Sequence, residues 1–337
     1  MKILIIGGTG TISMAVTELL AKSGHQLFLI NRGTREEDIP HGVTLFKADI
    51  NDERTVLSLL GDHKFDAVAQ FNGFVPFQLE RDYRLFRNRT SQYIFISSAS
   101  VYNKPVALPY ITEGTTLRNP FWNYSQDKIA CEEYLMKLYR ESGFPVTIVR
   151  PSHTYDNRSI PLGVHGSRGS WQVAKRMLEG KRVIIHGDGT SLWTMTHARD
   201  FAKGFAGLIG NSAALGEAFH ITSDESLTWN QIYSEIAKAL DVQLKAVHIS
   251  SEFLNCCTEH DLKGTLIGDK ANSMIFDNTK IKRAVPGFVA STRFADGIRE
   301  TVSYILKHPQ YQVEDAAFDA WCDKVLFALD TTKKLLD

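Results

Sequence analysis

Three things are scarce in this sequence. Cysteine occurs four times in 337 residues, as Cys131, Cys256, Cys257 and Cys322, with neither metal-ligand spacing nor a disulfide framework. That argues against a disulfide-stapled secreted scaffold, suggests no metal site, and makes a reducing cytoplasm the expected compartment. The adjacent Cys256 and Cys257 read as ordinary packed residues. Long apolar runs are missing, so no stretch reads as a membrane span. The opening run to Ile6 is too short for a signal peptide and ends in a glycine turn, not a small-residue cleavage site. Charge of one sign is missing too: 38 Lys and Arg stand against 38 Asp and Glu. A neutral total offers no broad basic field for nucleic acid or an anionic membrane. No internal repeat or low-complexity segment is visible.

What is present is an ordinary globular composition, 43% hydrophobic and 23% charged. The length suits one large or two intimate domains. Short apolar runs with β-branched or aromatic content stand at 3–6, 26–30, 44–47, 67–71, 93–96 and 145–149. Helical patterns lie between several of them, at 14–23, 53–60 and 128–140. Strands buried on both faces read as continuous apolar runs, and helices between them imply right-handed crossovers in a parallel sheet. The expected fold class is therefore α/β, a doubly wound parallel sheet. After Arg150-Pro151 the rhythm breaks into a loop rich in Gly, Ser and His. A helix at 171–179, a strand at 182–186 and a helix at 229–240 follow.

The expected division is 1–151, with re-entry at about 194–222, for a nucleotide-binding domain. A smaller α/β substrate-binding domain takes 152–193 and 223–315. An amphipathic helical tail, 316–337, turns Phe318, Trp321, Cys322, Val325 and Leu326 to one side, for docking on its own domain.

Gly7-Gly8-Thr9-Gly10-Thr11-Ile12-Ser13 follows the first strand and opens the first helix. Gly7 permits a tight turn, and Gly10 lets backbone N–H groups approach a pyrophosphate at the helix N-terminus. Ser13 stands at the third glycine position. This placement marks the sheet as a Rossmann-type dinucleotide site. Asn31-Arg32 ends the second strand where an NAD enzyme commonly offers an acidic side chain to the ribose. Asn31 can bond a hydroxyl and Arg32 suits a 2′-phosphate, which favours NADP over NAD. Asp49 and Ile50, after the third strand, fit the adenine.

Tyr124 and Lys128 stand four apart on a helical stretch, so both side chains share one face. A phenol with an unperturbed pKa of ~10 gains acidity from a nearby ammonium. Ser97-Ser98-Ala99-Ser100 follows the strand 93–96 at the carboxyl end of the sheet, where open α/β sheets bind ligands. A serine hydroxyl there can hold a substrate oxygen while Tyr124 moves the proton.

These residues resemble the extended short-chain dehydrogenase/reductases, the superfamily of nucleotide-sugar epimerases, dehydratases and related reductases. The resemblance runs from Lys2 to about Gly297. It rests on Gly7-x-x-Gly10, Asp49-Ile50, Ser97-Ser98 with Val101-Tyr102, Tyr124-x-x-x-Lys128, Val149-Arg150-Pro151, Gly187-Asp188-Gly189, Asp200 and Asp277-Asn278-Thr279-Lys280. It implies Tyr124 as acid/base, Lys128 on the nicotinamide ribose, and Ser98 on the substrate oxygen. Pro151, Ser152 and His153 would line the nicotinamide end. Ser98, Ser100, His153 and Trp193 are the expected substrate-binding residues.

Three features depart from the common pattern. The segment from Phe71 to Tyr93 is short and is expected to lack most of the helix that builds the family's dimer, which leaves the oligomeric state open. With Asn31-Arg32-Gly33 and Phe71-Asn72-Gly73, also expected at the cofactor, it resembles an atypical branch that includes the chloroplast stem-loop-binding proteins. Trp193 stands where sugar-nucleotide enzymes commonly carry a diphosphate-binding Arg. Ala99 and Ser100 replace the acidic residues of the 4,6-dehydratases, so dehydration is not expected.

Two further aromatic and histidine sets stand near the expected substrate loops: Trp171 with Trp193, and His153 with His165 and His197. Packing or surface roles account for each equally well. The expected activity is that of an NAD(P)-dependent epimerase or reductase acting on a hydroxyl or keto group of a sugar-like substrate, free or nucleotide-linked. The alternatives are a non-catalytic RNA-associated protein and an NADPH-binding redox regulator. The expected partner is a small-molecule substrate, with neither membrane nor nucleic acid.

Overall fold

The computed structural model describes residues 1–257 and 259–336, the side chain of Glu37 excepted. It divides into two compact units: Met1–Thr154 with Thr196–Asp224 and Phe276–Ser291, and Tyr155–Met195 with Glu225–Ile275 and Thr292–Asp337.

In the first unit, seven strands form one sheet. They are β1 (Lys2–Ile6), β2 (Gln26–Asn31), β3 (Thr44–Lys47), β4 (Ala67–Gln70), β5 (Tyr93–Ile96), Val146–Pro151 and Glu217–Ile221. The order, from one edge, is Glu217–Ile221, Val146–Pro151, β5, β4, β1, β2, β3, and each neighbouring pair is parallel. The chain leaves β1 toward β2 and β3, then returns to β4 on the other side. The gap this opens above β1 and β4 is the place where such sheets receive ligands.

Side-chain alternation explains why β1 is apolar from Ile3 to Ile6. Ile3 and Ile5 face one layer, in which α1 (Thr11–Lys22) contributes Val16 and Leu20. The helix α6 (Ala198–Leu208) adds Phe201, Phe205 and Leu208 there. Leu4 and Ile6 face the other layer, with Val56 and Leu60 of α2 (Glu53–Leu60), Leu79 of α3 (Pro76–Phe86), and Cys131 and Leu135 of α4 (Asn123–Ser142).

Two features of this unit escape the sequence pattern. The segment between Phe71 and Tyr93 holds an eleven-residue helix, α3. Its apolar side is interrupted by Arg81 and Asp82, both buried, which hides the helical period. A second re-entry, Phe276–Ser291, belongs to the first unit, where Ile281 and Phe288 join its core.

In the second unit the strands Val183–His186 and Ala246–Ile249 pair in parallel. The C-terminal helix Ala316–Leu336 buries Phe318, Trp321, Cys322, Val325 and Leu326. Arg176, on α5 (Trp171–Leu178), anchors that helix by bonds of 2.7 Å to Asp319 and to Asp323.

His186 is buried in this unit, edge-on to Trp229 at 4.9 Å, with its Nε2 3.2 Å from the Lys270 carbonyl. Burial holds its imidazole down to about 4. Unfolded, the same ring titrates near ~6.5. Its contribution is complete above that value and is lost as pH falls toward 4, up to ~3 kcal/mol in all. His186→Gln keeps an N–H for Lys270 without titrating. Urea unfolding between pH 7 and 4.5 should therefore weaken less in the variant than in the native chain.

Candidate functional site

The first helix begins where β1 ends, and the turn between them is held by one hydroxyl. Gly7 has φ +82°, a conformation that glycine adopts without strain. Ser13 Oγ donates to the Gly7 carbonyl at 2.6 Å and accepts from Gly10 N at 2.8 Å. Thr17 Oγ1 donates to the Gly8 carbonyl at 2.8 Å. Ser13 thus ties the turn to the helix it caps. A Cβ on Gly7 would overlap the Asn72 amide, and one on Gly8 would overlap Leu29. The glycines therefore leave a cradle just large enough for backbone to meet a ligand at the N-terminus of α1.

Above the turn lies a cleft of about 480 Å³. It brings together Gly7, Gly10, Asn31, Arg32, Asp49, Ile50 and Asn72 of the sequence-predicted residues. Thr11 and Ile12 start α1 beside it. Phe71 packs instead into the core, 5.5 Å from the Phe205 ring. Sequence reasoning missed Arg35, Asn51, Phe74, Gln78 and Arg81, which also line the cleft. Arg35 Nη1 donates to the Thr9 carbonyl at 3.2 Å. Its signal was available, since it stands three residues after Arg32 in the same loop. The residues present fit a dinucleotide: the glycine turn leaves room for a pyrophosphate to meet backbone, and Asn31, Arg32, Arg35 and Asp49 line the cleft beyond it.

Lys128 is buried, and its Nζ donates to the carbonyls of Gly73 at 2.6 Å and Ile96 at 2.7 Å. Rings of Phe95 and Phe74 lie 4.8 and 4.9 Å from the same nitrogen, and that of Tyr124 lies at 5.8 Å. Burial pulls this ammonium down to about 8. Tyr124 is half-buried beside Trp122, with ring centroids 4.9 Å apart.

Ser98 opens the turn Ala99–Val101 after β5. Its Oγ lies 2.9 Å from Ser100 Oγ, which accepts from Ser125 Oγ at 2.8 Å. The Ser100 carbonyl accepts from Asn119 Nδ2 at 2.8 Å. Ser125 was missed: it sits inside the Tyr-Lys spacing and only the fold aims it inward. Helix α4 thus carries Tyr124, Ser125 and Lys128 to the end of β5, where Ser98 waits. With the Ser100 hydroxyl donating to Ser98 Oγ, the Ser98 O–H is left to donate to a ligand oxygen.

The other expected residues lie as follows. Pro151 ends its strand, buried, and Ser152 Oγ is 3.1 Å from Thr196 Oγ1. His153 is half-buried. His197 caps α6, accepting from Arg199 N at 3.2 Å. In the second unit, Trp193 is 3% exposed and stacks on Trp229 at 6.0 Å, a packed position. Among the described residues no group of His, Cys, Asp and Glu could hold a metal ion, and no helix is long and apolar enough to cross a membrane.

A strand–glycine-turn–helix at the switch point and a Tyr-Lys pair at the end of β5 define a dinucleotide-dependent oxidoreductase class. The model of the NAD dependent epimerase/dehydratase family matches residues 3–221. The chain belongs to that family, and is an NAD(P)-dependent enzyme of the short-chain dehydrogenase/reductase type.

It is 23% identical over 253 residues to a 2′-dehydrokanamycin reductase of Streptomyces kanamyceticus, covering 75% of this chain and 70% of the reductase. It is 28% identical over 251 residues to the chloroplast stem-loop binding protein of 41 kDa b of Arabidopsis thaliana. That match covers 71% of this chain and 63% of the plant protein's length. The solved UDP-glucose 4-epimerase of Thermus thermophilus in complex with NAD shares its fold, with TM-score 0.71 at 20% identity, covering 91% of this chain and all of the epimerase.

Removing the Ser13 hydroxyl leaves the buried Gly7 carbonyl and the Gly10 N–H without that partner. Ser13→Ala should lower the free energy of urea unfolding by about 1–3 kcal/mol, measured at equilibrium on the native chain and the variant.

Proposed function

We propose that this chain is an epimerase or reductase that acts on a secondary hydroxyl or keto carbon of a sugar-like substrate, free or nucleotide-linked, and that it prefers NADP. The observation that carries the reading is the Lys128 ammonium, fixed on two carbonyls beside the Tyr124 ring and next to the Ser125–Ser100–Ser98 chain of hydroxyls.

In this reading Gly7, Gly10 and the N-terminus of α1 hold the pyrophosphate, Asp49 and Ile50 the adenine, and Lys128 the nicotinamide ribose. The bound cofactor supplies hydride acceptance and donation at the substrate carbon. Ser98 donates to the substrate oxygen and orients the carbon. Tyr124 takes or returns the proton on that oxygen, and the charge on Lys128 favours its phenolate. Phe74 and Phe95 keep water from the ammonium and so strengthen its field. Ala99 and Ser100 offer no carboxylic acid to expel a neighbouring hydroxyl, which fits a reading without dehydration.

The NADP preference is supported by Arg32 and Arg35, both exposed and both on the cleft. A guanidinium makes charge-assisted, two-pronged bonds to a phosphate and has no acceptor to offer a ribose O–H. Likeness to the stem-loop binding protein favours a second reading, association with RNA. RNA binding that falls steeply with salt, without dinucleotide affinity, would support that reading.

Two outcomes test the proposal. Tyr124→Phe should lower turnover of a panel of keto-sugars with NADPH by ~10²–10⁴-fold while dinucleotide binding stays near native. Normal turnover by the variant would contradict the mechanism. In calorimetry, Arg32→Ala with Arg35→Ala should weaken NADPH binding by ~10–100-fold and leave NADH nearly unchanged. An equal loss for both cofactors would contradict the preference.

A further inference from the structure

We infer that the Asp82 carboxylate, which lies outside the cleft, is a positioning residue for the adenylate half of the cofactor, setting two of the cleft's walls at once. The inference rests on the proposed reading of that cleft as a dinucleotide site.

Asp82 is fully buried on α3, and both its oxygens are occupied. Oδ2 accepts from Gln70 Nε2 and from Tyr93 OH, each at 2.6 Å. Oδ1 accepts from Arg81 Nε at 2.9 Å and Nη2 at 2.7 Å. Two of these donors lead to the cleft. Gln70, the last residue of β4, accepts from Asn72 N at 2.7 Å through Oε1. That bond holds the residue whose side chain lies against Gly7. Arg81 reaches the loop after β3, where its Nη1 donates to Asn51 Oδ1 at 2.5 Å. Asn51 N and Nδ2 both donate to Asp49 Oδ1 at 2.9 Å. Asp49, Asn51, Asn72 and Arg81 all line the cleft.

One carboxylate therefore connects the loop after β4 with the loop after β3, across which an adenylate would lie. Packing alone does not explain the arrangement, since an apolar side chain of similar volume holds a helix to a sheet as well as a buried ion pair does. What the apolar side chain cannot do is fix the Gln70 amide and the Arg81 fork in one orientation each. Removing the charge frees Gln70 to turn and leaves the Arg81 guanidinium without its counter-ion, so both loops lose their set positions.

The experiment titrates the native chain, Asp82→Asn and Asn51→Ala with whichever dinucleotide the native chain binds more tightly. Each is also titrated with the matching adenylate fragment, 2′,5′-ADP or ADP. Circular dichroism reports folding alongside. Asp82→Asn should lose about tenfold or more in affinity, by the same factor for dinucleotide and fragment. Asn51→Ala, altered at an exposed side chain at the end of the Arg81 arm, should lose affinity for both in the same proportion, by a smaller factor.

Folded Asp82→Asn with native affinity, or with a loss confined to the intact dinucleotide, overturns the assignment. A variant that only melts earlier while the folded form binds normally does the same. Should Asp82→Asn fail to fold, Asn51→Ala decides alone: native affinity overturns, proportional loss supports. A native chain that binds neither dinucleotide overturns the proposed function itself, a result distinguishable from native binding with unaltered variants.

Discussion

Burying the Lys128 ammonium between the carbonyls of Gly73 and Ile96 constrains the whole catalytic face. A bare ammonium is costly away from water, so the carbonyls must be in place for the helix to seat. One belongs to the loop after β4 and the other to the last residue of β5. Seating α4 therefore fixes the ends of two neighbouring strands together. The same helix then sets Tyr124 beside the ammonium and places Ser125 on Ser100. Desolvation brings the ammonium down to about 8. In the proposed mechanism its charge is present at neutral pH and is lost as pH rises through that value.

The switch in strand order between β1 and β4 supplies the other half of the site. Gly7 N donates to the Ile30 carbonyl at 3.2 Å and Phe71 N to the Ile6 carbonyl at 3.0 Å. The glycine turn and the loop after β4 thus continue the hydrogen-bonding of the sheet before they part. Ser13 then closes the turn from below. A serine at this position bridges Gly7 and Gly10, a bond that a glycine has no side chain to make.

Much of this was legible in the sequence where a local rule acts alone. A parallel strand buried on both faces reads as an apolar run, so β5 was expected at its observed bounds; the edge strand β3, only half-buried, was expected at its bounds too. The helix α2 was as plain, and so was the apolar stripe of the C-terminal helix. Legibility failed where burial involves charge. In α3, Arg81 and Asp82 occupy inward positions because they pair with each other and Asp82 also binds Gln70 and Tyr93, both outside the local pattern. Segment 276–291 was invisible as part of the first unit, since its few apolar residues make sense only against α6 and the strand Glu217–Ile221. Among candidate site residues, the glycine turn, Tyr124, Lys128 and Ser98 stand out by motif spacing. Ser125, Asn51 and Arg81 carry no motif and depend on tertiary placement.

A crystal structure of the chain grown with NADP+ tests the central claim most directly. The account predicts pyrophosphate density on the N–H groups of the Gly7–Gly10 turn, the 2′-phosphate beside Arg32 and Arg35, and the nicotinamide facing the Tyr124 hydroxyl with its ribose on Lys128. A dinucleotide lying elsewhere would contradict it, as would one in the cleft with the Tyr124 phenol turned away.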